Sequence, residues 1–350
     1  MLFALHSYFG TVIFLVTIQD VAKLAGVSTA TVSRVLNNNY KVSEKRRKQV
    51  LDAVGELGYS PNIIGRNLSR NENRTILVVS SAIDDHMLRG AHHAAKELGY
   101  DIILSYSPMS DNKDALKYFE NGLAGGILFI NFQESDENTM ELCRKYPVVM
   151  CAEWLDFPEV NLVSVHDRVA IGSLVSHLAK RGLTRFGFVG PESGTKRTIH
   201  FVHEREQGFL NALKSNGIEN IPELSLKIPF RTAVDGREKT ITDHYFSFPP
   251  EKRPQAYICT NDGMAVLCVS ALTYAGVKVP QEVAVTGFDD RGAMVLHPRI
   301  TTVAQPFFEM GAESVRMLVS IMTDQGQRMG RRVFLDHEIV LRGSTEPELE

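Results

Sequence analysis

Apolar positions near the start of the chain recur at helical spacing, and beyond residue 75 they gather instead into short runs separated by amphipathic stretches. Thr17-Ile-Gln-Asp20 fits a capping box, in which a Thr hydroxyl serves the backbone N–H three residues on and the acidic side chain reaches back. Ile18, Val21, Ala22 and Ala25 then fall at i, i+3, i+4 and i+7, one buried stripe, and Gly26 supplies the backbone freedom for a turn. Ser28 can cap a second helix at once. Over residues 28–36 that helix is expected to bury Val32 and Leu36 and to leave Thr29, Ala30, Ser33 and Arg34 facing out. A third helix, from Ser43, turns Val50, Val54 and Leu57 inward and carries Lys45, Arg46, Arg47 and Lys48 near its start. Three short helices with a tight turn between the first two make a helix-turn-helix pattern, whose second helix is built to enter a DNA major groove.

Pro61 in Tyr59-Ser-Pro-Asn62 stops the third helix and suits the first turn of another, which residues 63–70 can extend for only about two turns. A helix that short is marginal alone and is expected to order on contact. From Thr75 the texture alternates strand and helix. The apolar runs are ILVV, DIILS, GGILFI, PVVMC, LVSV, RFGFVG, AYICT and VAVTGF, with helices expected over 88–98, before Gly125, and over 169–181, 204–216 and 262–275. Runs of this kind between amphipathic helices predict parallel sheets covered on both faces, and the length suits two lobes.

Composition adds direction to this outline. The 350 residues are 44% hydrophobic and 23% charged, as a soluble protein with two or three core units would be. Net charge is only −3, yet residues 17–74 hold ten Lys and Arg against five Asp and Glu, while residues 75–350 hold 28 against 36. A basic module attached to an acidic body is the footprint of a protein that meets phosphate. The four cysteines have no C-x-x-C spacing and no His at ligand intervals, which indicates neither a zinc site nor a disulfide framework and points to a reducing cytoplasm. Residues 1–16 are apolar but lack a basic start and a small-x-small cleavage site, and they are short for a bilayer. They read as an extra leader, a start-site artefact, and no membrane association is expected.

The run Thr17-Ile-Gln-Asp-Val-Ala-Lys-Leu-Ala-Gly-Val-Ser-Thr-Ala-Thr-Val-Ser-Arg-Val-Leu-Asn37, with Val42-Ser43 and Gly58-Tyr-Ser-Pro-Asn62, resembles the headpiece of the lactose-repressor/galactose-repressor (LacI/GalR) family of bacterial transcription regulators. The resemblance continues through RTILVV at 74–79, RGLTRFGFVGP at 181–191, REQGF at 205–209, TNDGMA at 260–265, VAVTGFDD at 283–290, ITTVAQP at 300–306 and LRGST at 341–345. Within the family the cytidine-repressor type looks nearest, through Gly65-Arg-Asn67 and Arg70-Asn-Glu72. The resemblance implies a helix-turn-helix headpiece over 17–60, a hinge helix over 61–73 and a two-lobed core over 74–345 like that of periplasmic binding proteins, with a short tail over 346–350.

By resemblance, Thr29, Ala30 and Arg34 meet base edges, Arg34 gripping a guanine bidentately, although propensity alone also permits Thr29 and Ala30 as plain helix surface. Asn37 and Lys41 hold phosphate, and Leu68 is the apolar wedge that the family inserts into the minor groove; without the family it reads as a core or linker leucine. A wedge needs a partner beside it, so a homodimer on a pseudo-palindromic double-stranded operator is expected. In the core, resemblance makes Arg205, Asn261 and Asp289 the polar contacts to a sugar or nucleoside effector. The bland alternatives are that Arg205 pairs with a neighbouring acid, Asn261 or Asp262 caps the following helix and Asp289 makes a turn. Trp154, the only tryptophan, either stacks on the effector ring or packs. One departure stands out: Ser80 to Leu88 is several residues shorter than the usual family loop, so first-lobe ligand contacts do not transfer.

Nothing supports an enzyme or a cofactor: G-x-S-x-G and the P-loop pattern are absent, and His203-Glu204 lacks the second His of H-E-x-x-H. A small-molecule-binding protein without DNA function, which the body alone would fit, is contradicted by the headpiece. No leucine-heptad helix follows LRGST, so the expected assembly is a dimer.

Overall fold

The computed structural model describes residues 16–36, 42–59, 73–80, 84–106, 113–131, 137–152, 157–192, 200–228, 234–291, 297–323 and 330–346. The chain divides into two compact units, Met1–Asn73 and Arg74–Glu350.

In the first unit, α1 (Ile18–Ala25), α2 (Thr29–Leu36) and α3 (Glu44–Leu57) enclose a small core. The capping box is formed in both directions: Asp20 N–H donates to Thr17 Oγ1 at 3.4 Å and Thr17 N–H to Asp20 Oδ2 at 2.9 Å. Gly26 takes φ 64°, a left-handed conformation that glycine adopts at little cost, and its N–H donates back to the last carbonyls of α1. The inward residues are Val21, Ala22, Ala25, Val32, Val35, Val50 and Ala53. On α2 the second buried position is therefore Val35, where periodicity had favoured Leu36, and on α3 it is Ala53 beside Val50; Leu36, Val54 and Leu57 are half-buried against the same core. In both helices the first inward residue, Val32 or Val50, is the expected one, and the second lies one residue earlier, where the smaller side chain faces the centre. Val16, within the supposed leader, also packs on this core.

The second unit is built on two parallel sheets. The first runs β11-β5-β4-β3-β1-β2, from β1 (Thr75–Ser80), β2 (Asp101–Tyr106), β3 (Gly126–Ile130), β4 (Val148–Cys151), β5 (Leu162–Val165) and β11 (Arg332–Leu335). The second runs β7-β6-β8-β9, from β6 (Phe186–Pro191), β7 (Leu226–Ile228), β8 (Ala256–Cys259) and β9 (Ala284–Thr286). Helices α4 (Asp85–Leu98), α5 (Lys113–Glu120), α6 (Glu137–Lys145) and α11 (Phe307–Thr323) belong with the first sheet, and α7 (Asp167–Lys180), α8 (His200–Ser215), α9 (Val234–Phe246) and α10 (Asp262–Tyr274) with the second. Period-two alternation sends Ile76, Val78, Leu128 and Ile130 into one core and Leu77, Val79, Ile127 and Phe129 into the core on the opposite face. The edge strand β2 departs from the expected full coverage, with Leu104 and Tyr106 exposed.

α4 and α11 approach so closely that side chains are excluded from their contact. A Cβ on Gly90 would collide with the Phe308 carbonyl, and one on Gly311 with the Met87 carbonyl. Among the described residues the chain passes between the lobes three times, at Val165–Asp167, at Ala304–Phe307 and at Leu335–Glu338, and β10 (Thr302–Ala304) pairs antiparallel with β12 (Glu338–Val340) at this junction. His166 stacks on Phe334 across the first and third passages, ring centroids 3.9 Å apart.

Candidate functional site

Two sites follow from this architecture, one in each unit. In the headpiece, burying Val32 and Val35 turns the opposite face of α2 to solvent, and Thr29, Ala30 and Arg34 are all exposed on it. Ser28 Oγ accepts from Thr31 N–H at 3.3 Å, which starts α2 immediately after the turn and fixes its first residues relative to α1. Lys45, Arg46 and Lys48 are exposed around the first turns of α3. Asn37, Lys41 and Leu68 lie outside the described residues, as does Trp154.

In the core, polar side chains converge where β5, β8 and β9 end, the position at which open parallel sheets bind ligands. Arg205, on α8, is only 5% exposed. Its Nε donates to Asp167 Oδ1 at 2.6 Å and its Nη1 to the Thr260 carbonyl at 2.6 Å, with Asp289 Oδ1 3.7 Å from Nη1. The guanidinium lies over the Phe288 ring at 3.5 Å. A buried guanidinium is tolerable only when its donors are met in this way. Gln305, on the second passage between lobes, donates from Nε2 to Asp289 Oδ1 at 2.7 Å. Arg205, Asp167, Asp289 and Gln305 thus form one cluster at the lobe junction, where a hydroxyl-rich ligand would find donors and acceptors together.

Asp289 has φ 111° and Asp290 φ 57°, conformations that cost a non-glycine residue of order 1–3 kcal/mol and persist only where surroundings impose them. The surroundings are visible. Asp289 N–H donates to the Val303 carbonyl at 2.8 Å, and Asp290 pairs with Arg342 at 2.7 Å. Asp262, buried at the start of α10, accepts from Thr302 Oγ1 at 2.6 Å and from the Arg291 backbone N–H, and its own N–H donates to the Phe288 carbonyl at 2.8 Å. Burial pushes the Asp262 carboxyl up to about 7, against the lowering effect of its hydrogen bonds. Burial likewise raises Asp289 to about 6, held back by Arg205 and Gln305, and raises Asp167, again opposed by Arg205. Burial lowers His337, on the third passage.

The structure brings Arg205 and Asp289 together. It also realises the bland alternative for each: Arg205 does pair with an acid, and Asp289 does make a strained turn. Asn261 caps α10, its Oδ1 accepting from Met264 N–H at 2.9 Å. Asp167 and Gln305 escaped the sequence reading, and Asp262 entered it only as an alternative helix cap. Asp167 follows the strand LVSV directly, and a polar residue at the carboxyl end of a predicted strand was the available signal. Among the described residues, no helix is long and apolar enough to cross a membrane, and no cluster of His, Cys, Asp and Glu is arranged to hold a metal ion.

Comparison with known proteins agrees with both units. Residues 17–62 match the model of the bacterial regulatory proteins, lacI family, and residues 175–345 that of a periplasmic binding protein-like domain. The HTH-type transcriptional repressor CytR of Escherichia coli K12 is 32% identical over 94% of this chain and 96% of its own. The HTH-type transcriptional regulator RegA of Clostridium saccharobutylicum is 30% identical over 94% of this chain and 99% of its own. A lac repressor dimer bound to operator and the anti-inducer ONPF superposes with a TM-score of 0.80 at 26% identity, covering 94% of this chain and 99% of that one. With a helix-turn-helix headpiece that presents α2, a two-lobed core and relatives matched end to end, the chain belongs to the LacI family of DNA-binding transcription regulators and is not an enzyme.

Proposed function

We propose that the protein is a cytoplasmic repressor that binds a pseudo-palindromic operator as a homodimer and whose operator affinity is set by a sugar or nucleoside held between its lobes. α2 lies in the major groove, Arg34 reads a guanine through its paired donors, Thr29 and Ala30 meet neighbouring base edges, and Asn37 and Lys41 hold phosphates. Leu68 from each subunit wedges the centre of the site. In the core, Arg205 and Asp289 take the effector hydroxyls, Asn261 borders them, and Trp154 offers a stacking face.

The observation that carries this reading is the buried Arg205–Asp167–Asp289–Gln305 cluster, placed where the chain passes between lobes. A ligand seated there touches both lobes, so its binding energy differs between lobe arrangements and shifts the population that binds DNA. The lac repressor was solved as a dimer on operator with a small molecule bound, and the regulator CelR as a cellobiose complex, which supports both the assembly and the ligand class.

Selection of genomic fragments by the purified full-length protein, at stated salt, tests the reading. Recovery of a two-fold site is expected, and binding to it should change severalfold with one member of a panel of sugars and nucleosides. Failure to enrich any site across the salt series and the panel would overturn it.

A further inference from the structure

In the first lobe the segment after β1 leads to Asp84, and in the second lobe the Asp289-Asp290 turn leads to Arg291; the two side chains meet across the junction. We propose that Arg291 is an interlobe latch, which holds the two lobes in one arrangement in the absence of any effector.

Both ends of the contact are anchored. Asp84 caps α4, its Oδ1 accepting from Met87 N–H at 3.1 Å, while its Oδ2 accepts from Arg291 Nη2. The Asp84 side chain is only 1% exposed, so its charge is compensated by Arg291 and the helix N-terminus rather than by water. On the other side, the Arg291 backbone is fixed to the second lobe by Asp262, and the preceding Asp290 by Arg342. Between these anchors the guanidinium carbon lies over the ring of Phe307, 3.8 Å from its centroid, at the first residue of α11 in the first lobe. One second-lobe side chain therefore touches two first-lobe helices, α4 through its cap Asp84 and α11 through Phe307.

The energetics give the latch its sign. Here only the acid is withdrawn from water, Arg291 being 39% exposed and Asp84 1%, so the pair adds little net stability, but removing Arg291 leaves an uncompensated buried carboxylate. Separating the lobes returns both groups to water, whereas deleting Arg291 alone strands Asp84 only while the lobes stay together. Loss of Arg291 thus penalises this arrangement specifically and frees the lobes to move apart. Arg291 lies two residues from Asp289, so a ligand on Asp289 acts on the same pinned turn. The latch itself needs neither ligand nor DNA, and its test is independent of the function proposed above.

The test uses full-length protein without small molecules, spin-labelled on exposed helix and loop sites through Lys96→Cys and Lys278→Cys and diluted with unlabelled protein so that pairs within one chain dominate. The four native cysteines are buried and should label poorly. Electron–electron double resonance on the parent is expected to give one narrow interlobe distance. Arg291→Ala should broaden it and shift it to a longer distance. Asp84→Asn, which keeps a capping side chain and so preserves α4, should reproduce part of the shift, and it answers the question if Arg291→Ala does not fold. A parent distribution that persists in Asp84→Asn and in every folded Arg291 variant would overturn the latch.

Discussion

Arg34 and Asp262 show how differently a charged side chain acts on a surface and in a core. Arg34 projects from the exposed face of α2, and its effect depends on what it meets. Arg34→Ala is expected to erase discrimination at one base pair of each half-site, worth about 1–3 kcal/mol, while weakening binding to other sequences much less. Titration of the selected operator against single-base variants measures this. Asp262 acts on the fold itself. Its carboxyl rises from an ordinary 3.8 to about 7, so the folded chain holds a proton that the unfolded chain has shed. The stability associated with that proton is complete below pH 3.8 and is lost as pH rises through about 7. Between those limits the contribution falls by at most about 1.4 kcal/mol per pH unit. Urea midpoints of the full-length protein across this window should decline more steeply than those of Asp262→Asn, and identical slopes would refute the assignment. Residue roles were unevenly legible in the sequence. Arg205 and Asp289 stood out through their motifs, but Asp262 read as one more helix cap because its second function depends on Thr302 and Arg291, forty and twenty-nine residues away.

At the scale of elements, periodicity located what local physics controls. The capping box, the turn at Gly26 and the alternating strands appear where the pattern placed them, because each depends on neighbours a few residues apart. The choice of Val35 over Leu36 depended instead on how three helices meet, which no single helix specifies. Several elements went unassigned for a related reason, β7, β10, β12 and α11 among them. These three strands have only three residues each, and α11 is buried along so much of its circumference that no polar stripe marks it. The contact of α11 with α4 makes a test in which propensity and packing disagree. Replacing a mid-helix glycine by alanine normally stabilises by about 0.5–1 kcal/mol. At Gly311 the new methyl meets the Met87 carbonyl, so Gly311→Ala should instead destabilise, by about 1–3 kcal/mol, as read from urea unfolding.

For the whole molecule, the charge division and the strand–helix alternation were enough to separate a basic headpiece from an acidic two-lobed body, while the route of the chain between lobes was not visible in any local pattern. That route means the first lobe is not a contiguous stretch of sequence. Its sheet is closed on one edge by β11 and its α4 face is covered by α11, both supplied after all four strands of the second lobe's sheet. A chain cut at residue 300 should therefore leave Met87, Ala91 and the α4-facing side of the sheet uncovered, bind hydrophobic dye and unfold without cooperativity, whereas the full-length chain should do neither. During synthesis the same order acts as a clock. The headpiece core draws only on residues near the start and can form while most of the body is still being made. On a ribosome, the headpiece core can therefore fold long before the body that follows it, and in that interval a nascent chain carries a folded headpiece with no core to govern it.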